Sequence, residues 1–247
     1  MNNQSIKNGF LMTAWGYLIP AIAAIIFIIV ICSKASSIAV EIYEPTNATA
    51  TTIDPDTLEK EILPTVTVWS YLFQAVTIAC GLLTGCGLLK AAKASDNDGF
   101  SGPLSSLATM VFIYTGLSFL VSAVGIISPS SKLGLAISGA LAVFSFCFYF
   151  AYIVRGKNCT ALAYENSQIA GLRTCSRGYQ MMWIGFAGII VAALIIIYTD
   201  GTGILTGLIA IAAFALSIVM LAGYIQVIIG WFKAASAATT FAAPEEQ

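Results

Sequence analysis

Few residues in the long apolar segments of this sequence could carry chemistry, and none of them is charged. Two amides, Gln74 and Gln226, are the strongest polar groups there, beside scattered Ser, Thr and Tyr hydroxyls. In lipid, a polar side chain needs a hydrogen-bond partner whether or not it has a function. We therefore predict either that Gln74 and Gln226 form hydrogen bonds across helix interfaces or that they contact a polar solute.

Acid–base, nucleophilic and metal chemistry have little support. Histidine is absent, which removes the commonest general base and the commonest metal ligand. No Asp, Glu, Lys or Arg falls within the apolar runs, where such residues usually mark ion pathways and proton relays. The six cysteines show no CxxC spacing. The sequence predicts no catalytic, cofactor-binding or metal-binding residue, no cofactor and no enzymatic activity.

The apolar runs indicate a membrane protein. The chain is 58% hydrophobic and only 9% charged, whereas soluble domains carry about 25% charged residues. Residues 66–89 are uncharged, and as a helix of ~36 Å they would cross a hydrocarbon core of ~30 Å. We predict a single all-α integral membrane domain, a bundle of six transmembrane helices arranged as three successive hairpins. The predicted spans are 10–32, 66–89, 104–127, 133–154, 179–198 and 203–232.

Glycine and proline within these spans predict local packing. The pairs Gly81/Gly85 and Gly203/Gly207 have the four-residue spacing that lets membrane helices approach closely, within the chain or between copies. Pro20 cannot donate to the carbonyl of Gly16, so a kink is expected there, for packing or as a hinge. The first span is too long for a typical signal peptide, so we expect it to be retained.

Three polar segments join or follow the spans. Residues 33–65 form an acidic outer loop, in which a short helix is predicted to begin at Pro55, with Asp54 as its N-cap, and to end at Pro64. Residues 155–178 form a cytoplasmic loop, and residues 233–247 form a cytoplasmic tail. The loop cations Arg155, Lys157, Arg173 and Arg177 either bind anionic lipid headgroups or only set the orientation of the chain.

The distribution of cations predicts the orientation. With six spans, eight of the eleven cations fall on the side of the two termini. Because cations near membrane ends are retained in the cytoplasm, both termini are predicted to be cytoplasmic, by default in a bacterial inner membrane. The net charge of −1 gives no attraction to nucleic acid.

A short similarity joins the exits of two spans. Residues 87–92 read GLLKAA and residues 230–235 read GWFKAA. Parallel repeats of this kind occur in some transporters, but six positions of simple composition are more readily explained by chance.

Two non-enzymatic functions remain. The leading hypothesis is a structural, assembly or accessory subunit in contact with the lipid bilayer and with a membrane-protein partner or further copies of itself. The alternative is a channel or facilitator for a neutral or apolar small solute, which needs no charge within the membrane. A polar cavity open to one side and lined by Gln74 and Gln226 would favour the alternative, and a tightly filled bundle without such a cavity would favour the subunit.

Overall fold

A computed structural model describes residues 2–42, 55–127, 132–198 and 204–238, and this part of the chain is almost entirely helical. Each of its six helices contains a segment long and apolar enough to cross a membrane. The predicted all-α six-helix bundle is therefore confirmed. The helices are α1 Asn3–Ile42, α2 Pro55–Lys93, α3 Asp98–Ile127, α4 Lys132–Ser167, α5 Ala170–Tyr198 and α6 Ile204–Ala237.

The six helices form a closed ring. Each helix packs against its neighbours along the chain, and α6 packs against α1. Among the described residues, no other pair of helices has Cα atoms within 8 Å of each other. The ring therefore encloses an axis that side chains, rather than backbone, must fill.

Both ends of the described chain lie at one end of the ring, which we call the terminal end. The amide of Asn2 donates a hydrogen bond of 3.1 Å to the carbonyl of Ala94 at the end of α2. Asn97 Nδ2 donates a hydrogen bond of 3.2 Å to the carbonyl of Asn166, which joins the α2–α3 connection to the end of α4. We call the opposite end of the ring the far end.

The segment 155–178, expected to be a loop, is helical except at a sharp turn between α4 and α5. Gln168 has a φ of 55° in this turn, a left-handed conformation typical of the end of a helix. Leu172, Cys175 and Tyr179 recur at helical spacing and are completely buried, whereas Arg173 and Arg177 are exposed. The charges that indicated a loop thus lie on the outer face of an amphipathic helix end.

Other segment boundaries also differ from the expected ones because the helices extend past the apolar runs. The polar N-terminal segment is helical from Asn3, and α6 continues to Ala237 within the predicted tail. The helix beginning at Pro55 is found where predicted, but it does not end at Pro64 and instead continues into the second span. Asp54 and residues 239–247 lie outside the described residues.

Glycines bring backbones close together within two hairpins, α1–α2 and α5–α6. A Cβ added to Gly178 on α5 would lie only 2.7 Å from the carbonyl oxygen of Gly223 on α6, closer than real Cβ contacts allow. The same contacts recur at matched positions in both hairpins. On α1, Gly9 lies against Gly87 and Ala91 of α2, and on α5, Gly171 lies in the same way against Gly230 and Ala234 of α6. Seven residues later on α1, Gly16 lies against Cys80 and Thr84. Seven residues later on α5, Gly178 lies against Gly223 and Val227.

The similarity between residues 87–92 and 230–235 lies along these seams. The sequence favours chance as the explanation of the six matched positions, and the structure adds a contact pattern that repeats over two turns of both helices in each hairpin. The shared pattern means that two of the three hairpins are packed in the same way.

Side-chain burial differs between the two ends of the ring. The buried core is concentrated toward the terminal end, with Ile6, Phe10, Leu104, Leu172 and Trp231 almost inaccessible. Large apolar side chains toward the far end face outward, and Ile29, Ile197 and Phe214 are at least 60% exposed. So much exposed apolar surface is unfavourable in water and is satisfied by lipid, so the fold is that of a multi-pass integral membrane protein.

Candidate functional site

An aromatic plug fills the axis of the ring at the terminal end. The Phe10 ring of α1 lies 5.5 Å from Trp231 of α6 and 6.2 Å from Phe100 of α3, measured between ring centroids. All three side chains are completely buried. Through these side chains α3 meets α1 and α6, whose backbones it does not approach, and the axis is closed at this level.

A layer of tyrosine hydroxyls lies next to this plug, toward the far end. The phenol oxygen of Tyr179 on α5 lies 2.5 Å from that of Tyr17 on α1 and 3.2 Å from that of Tyr152 on α4. Tyr17 and Tyr152 are also hydrogen bonded to each other. The hydroxyl of Tyr224 on α6 donates a hydrogen bond of 2.7 Å to the carbonyl of Tyr17. Four helices are therefore tied together by phenols across the axis.

Beyond the tyrosine layer, the ring contains a cavity of about 180 Å³. Every helix contributes to its wall. One representative from each, in chain order, is Pro20, Thr84, Tyr114, Tyr149, Met182 and Tyr224. Among the residues that the structure describes, no charged side chain lines this cavity. A pocket of similar size lined by apolar side chains, about 150 Å³, is large enough for benzene.

A second cavity of about 390 Å³ lies between α2, α3 and α4. It shares Thr77, Ile78, Tyr114, Ser118 and Tyr149 with the axial cavity, so the two cavities are adjacent. Its remaining wall contains the rings of Phe73 and Phe146 and the polar side chains of Gln74, Ser122 and Ser145. The lining of the second cavity is also uncharged.

Two polar atoms in this second cavity have no hydrogen-bond partner. Gln74 Oε1 and Ser145 Oγ are both buried and unpaired. In contrast, the hydroxyls of Thr77 and Ser122 donate to carbonyls one turn earlier in their own helices, at 2.8 Å each. A buried polar atom without a partner costs about 1–3 kcal/mol, so this cavity lacks a complementary group.

The two glutamines singled out by the sequence are not brought together. Gln74 lies in the second cavity, whereas Gln226, on α6, is half-buried and lines neither of the two cavities. Helices α2 and α6 are not backbone neighbours in the ring. Gln74 Oε1 accepts no hydrogen bond, so it is not bonded to Gln226.

The predicted packing residues have different surroundings. Gly81 faces Thr115 of α3, and a Cβ on Gly85 would lie 2.6 Å from the ring of Phe112, so this pair lies on a seam within the chain. Gly207 faces open space, and Gly203 lies outside the described residues. Pro20 lies inside α1, which continues on both sides of it, and it borders the axial cavity.

The four loop cations lie near the terminal end on the outer faces of α4 and α5. Arg155 donates two hydrogen bonds to Ser106 Oγ, of 3.1 Å from Nε and 2.9 Å from a terminal nitrogen. The guanidinium of Arg173 lies 5.9 Å from the centroid of the Tyr164 ring. Arg177 is exposed and Lys157 half-buried. Within the described residues, no group of three or more His, Cys, Asp or Glu side chains could hold a metal ion.

Sequence reasoning missed both the tyrosine layer and the glycine seams. The signal for the seams was a seven-residue spacing, in Gly9/Gly16 on α1 and in Gly171/Gly178 on α5. Tyr17 and Tyr179 each follow the second glycine of such a pair directly, so the same repeat also carries two of the three joined phenols. Comparison with protein-family models, with curated proteins and with solved structures finds no match to this chain.

Proposed function

We propose that this chain is a non-enzymatic membrane protein that binds a neutral small solute in its ring and facilitates the passage of that solute across the bilayer. The observation that carries the proposal is the axial cavity, whose wall is built by all six helices of a closed ring. The adjacent cavity with the unpaired Gln74 Oε1 supports it further.

The chemistry of the lining favours an uncharged solute. The described lining of each cavity contains no charged side chain, and most of its surface is apolar. Moving an ion from water into such an environment without a partner costs many kcal/mol. A neutral molecule escapes this cost and gains contact with the aromatic rings of Tyr114 and Tyr149.

The conformation described here is closed at the terminal end. The Phe10–Phe100–Trp231 plug and the joined phenols of Tyr17, Tyr152 and Tyr179 lie between the axial cavity and that side. Passage therefore requires these side chains to move apart, as in other proteins that alternate between closed and open states.

We propose that the terminal end faces the cytoplasm, in a bacterial inner membrane by default. The cations on this side are Lys7, Lys90, Lys93, Arg155, Lys157, Arg173, Arg177 and Lys233. A Lys93→Cys variant, with the native cysteines replaced, should react with a membrane-impermeant maleimide only after intact cells are permeabilised. Reaction in intact cells would invert the orientation.

A structural or accessory subunit is the second candidate. The dense side-chain packing of the terminal end favours it, because this part of the ring contains a filled core rather than a passage. This function predicts that the protein is recovered from native membranes together with a partner or with further copies of itself. Recovery as a lone monomer in a mild detergent counts against the subunit.

The transport proposal is tested in proteoliposomes with urea, glycerol and nicotinamide, and with nicotinate as the charged counterpart of nicotinamide. We expect protein-dependent uptake of at least one uncharged solute and none of nicotinate. Gln74→Leu should lower this uptake, while Gln226→Leu, away from both cavities, should not. Rates equal to those of empty liposomes for all three uncharged solutes would end the proposal.

A further inference from the structure

The two unpaired atoms of the second cavity define what a ligand there must offer. Gln74 Oε1 can only accept a hydrogen bond, and Ser145 Oγ can accept one. Both belong to the same cavity, on α2 and α4, where the hydroxyls of Thr77 and Ser122 are already bonded within their own helices. The group that Gln74 Oε1 lacks is therefore a hydrogen-bond donor.

The rest of the wall defines the shape of the ligand. Phe73, Phe146 and Tyr149 present aromatic surface, which favours flat rings in offset or edge-to-face contact. A volume of about 390 Å³ falls in the usual range for small-molecule sites and exceeds what a single ring needs. The described lining of this cavity carries no charged side chain, so an ionic group on the ligand would find no partner of opposite charge there.

We propose that this cavity binds a neutral, flat, ring-containing molecule that carries a hydrogen-bond donor, with the ring against Phe73 and Phe146 and the donor directed to Gln74 and Ser145. This inference rests on the proposed function and names the class of solute. A water molecule could also satisfy the two atoms. In that case, however, binding would not depend on a donor in the ligand.

Indole and 1-methylindole form a matched pair for the test, because the methyl group removes the only N–H donor and leaves the ring unchanged. Their binding is measured by equilibrium dialysis against the protein in lipid nanodiscs, with empty nanodiscs giving the background from partition into lipid. We expect indole to bind about 2- to 12-fold more tightly, the range that corresponds to one neutral hydrogen bond.

The variants locate the effect. Gln74→Leu, which replaces the amide by a branched apolar side chain one atom shorter, should remove the preference for indole, and Ser145→Ala should reduce it independently. Gln226→Leu is the matched control and should keep the full preference. Retention of the preference in both Gln74→Leu and Ser145→Ala would overturn the assignment of the site.

The outcomes separate this inference from the proposed function. Equal binding of the two indoles overturns the donor requirement, and uptake of urea, glycerol or nicotinamide into proteoliposomes would still support transport. If neither indole binds specifically, the proposed ligand class is overturned, and uptake of one of the three solutes would again still support transport. Loss of both binding and uptake overturns the inference and the proposed function together.

Discussion

The hydroxyl of Tyr224 donates a hydrogen bond of 2.7 Å to the carbonyl of Tyr17, two residues that are 207 positions apart in the chain. This bond joins α6 to α1, the two helices that close the helical ring. The aromatic side chains of Tyr17 and Tyr224 also meet edge to face, at 5.9 Å between centroids. The last helix is thus fastened to the first at the edge of the axial cavity.

Tyr224→Phe should lower the stability of the ring by about 0.5–1.5 kcal/mol, since it removes this hydrogen bond and keeps the aromatic ring. The measurement is the unfolding midpoint in mixed micelles of increasing SDS content, followed by far-ultraviolet circular dichroism. Tyr71→Phe, at an exposed position on α2, is the control. Equal midpoints for Tyr224→Phe and the control would show that the bond does not contribute to closure.

Gly178→Ala should destabilise the protein, by about 1–3 kcal/mol, because the added methyl group would lie 2.7 Å from the Gly223 carbonyl oxygen and force α5 from α6. Gly207→Ala places the same methyl group in open space and should leave stability unchanged or slightly raised. Both are measured by the SDS titration. If the two substitutions shift the midpoint equally, the close approach at this seam is not real.

Buried thiols should resist modification in the folded protein. Cys159 and Cys175 are 2% and 0% exposed, whereas Lys93, at the terminal end of α2 and past its apolar run, is exposed. In single-cysteine variants, a soluble maleimide should label Lys93→Cys within minutes and should label Cys159 and Cys175 only after unfolding, because the reactive thiolate must reach the reagent. Rapid labelling of Cys175 in the folded state would contradict the packing of α5 against α6.

Tyr152→Ala should increase the uptake of nicotinamide, because it removes a ring and a hydroxyl from one of the two layers that close the axis. Tyr152→Phe keeps the ring and should change uptake much less. Size-exclusion chromatography of both variants controls for folding. Unchanged uptake by a folded Tyr152→Ala protein would mean that the tyrosine layer does not limit the passage of the solute.

The six helices could be predicted because each contains an uncharged run that only lipid would accommodate. Where the helices begin and end was harder to predict, because the charges between 155 and 178 also fit a loop. Spacing such as Leu172–Cys175–Tyr179, read together with exposed Arg173, distinguishes the amphipathic helix end from a loop. That distinction needs knowledge of what the apolar face packs against.

The site was largely beyond the sequence because it depends on which helices are neighbours. Gln74 and Gln226 look equivalent along the chain, yet Gln74 lines the second cavity and Gln226 lines neither the second cavity nor the axial one. The meeting of Tyr17, Tyr152 and Tyr179 requires α1, α4 and α5 to present these faces to one axis, and local spacing on single helices does not fix that arrangement.

The glycine seams join only part of the ring. The α1–α2 and α5–α6 hairpins each pack backbone against backbone, whereas no described glycine of α3 or α4 lies next to the backbone of another helix. The α3–α4 hairpin therefore has no glycine seam of this kind. Since Tyr114, Ser145 and Tyr149 belong to it, much of the cavity wall is carried by the one hairpin that side chains alone hold together.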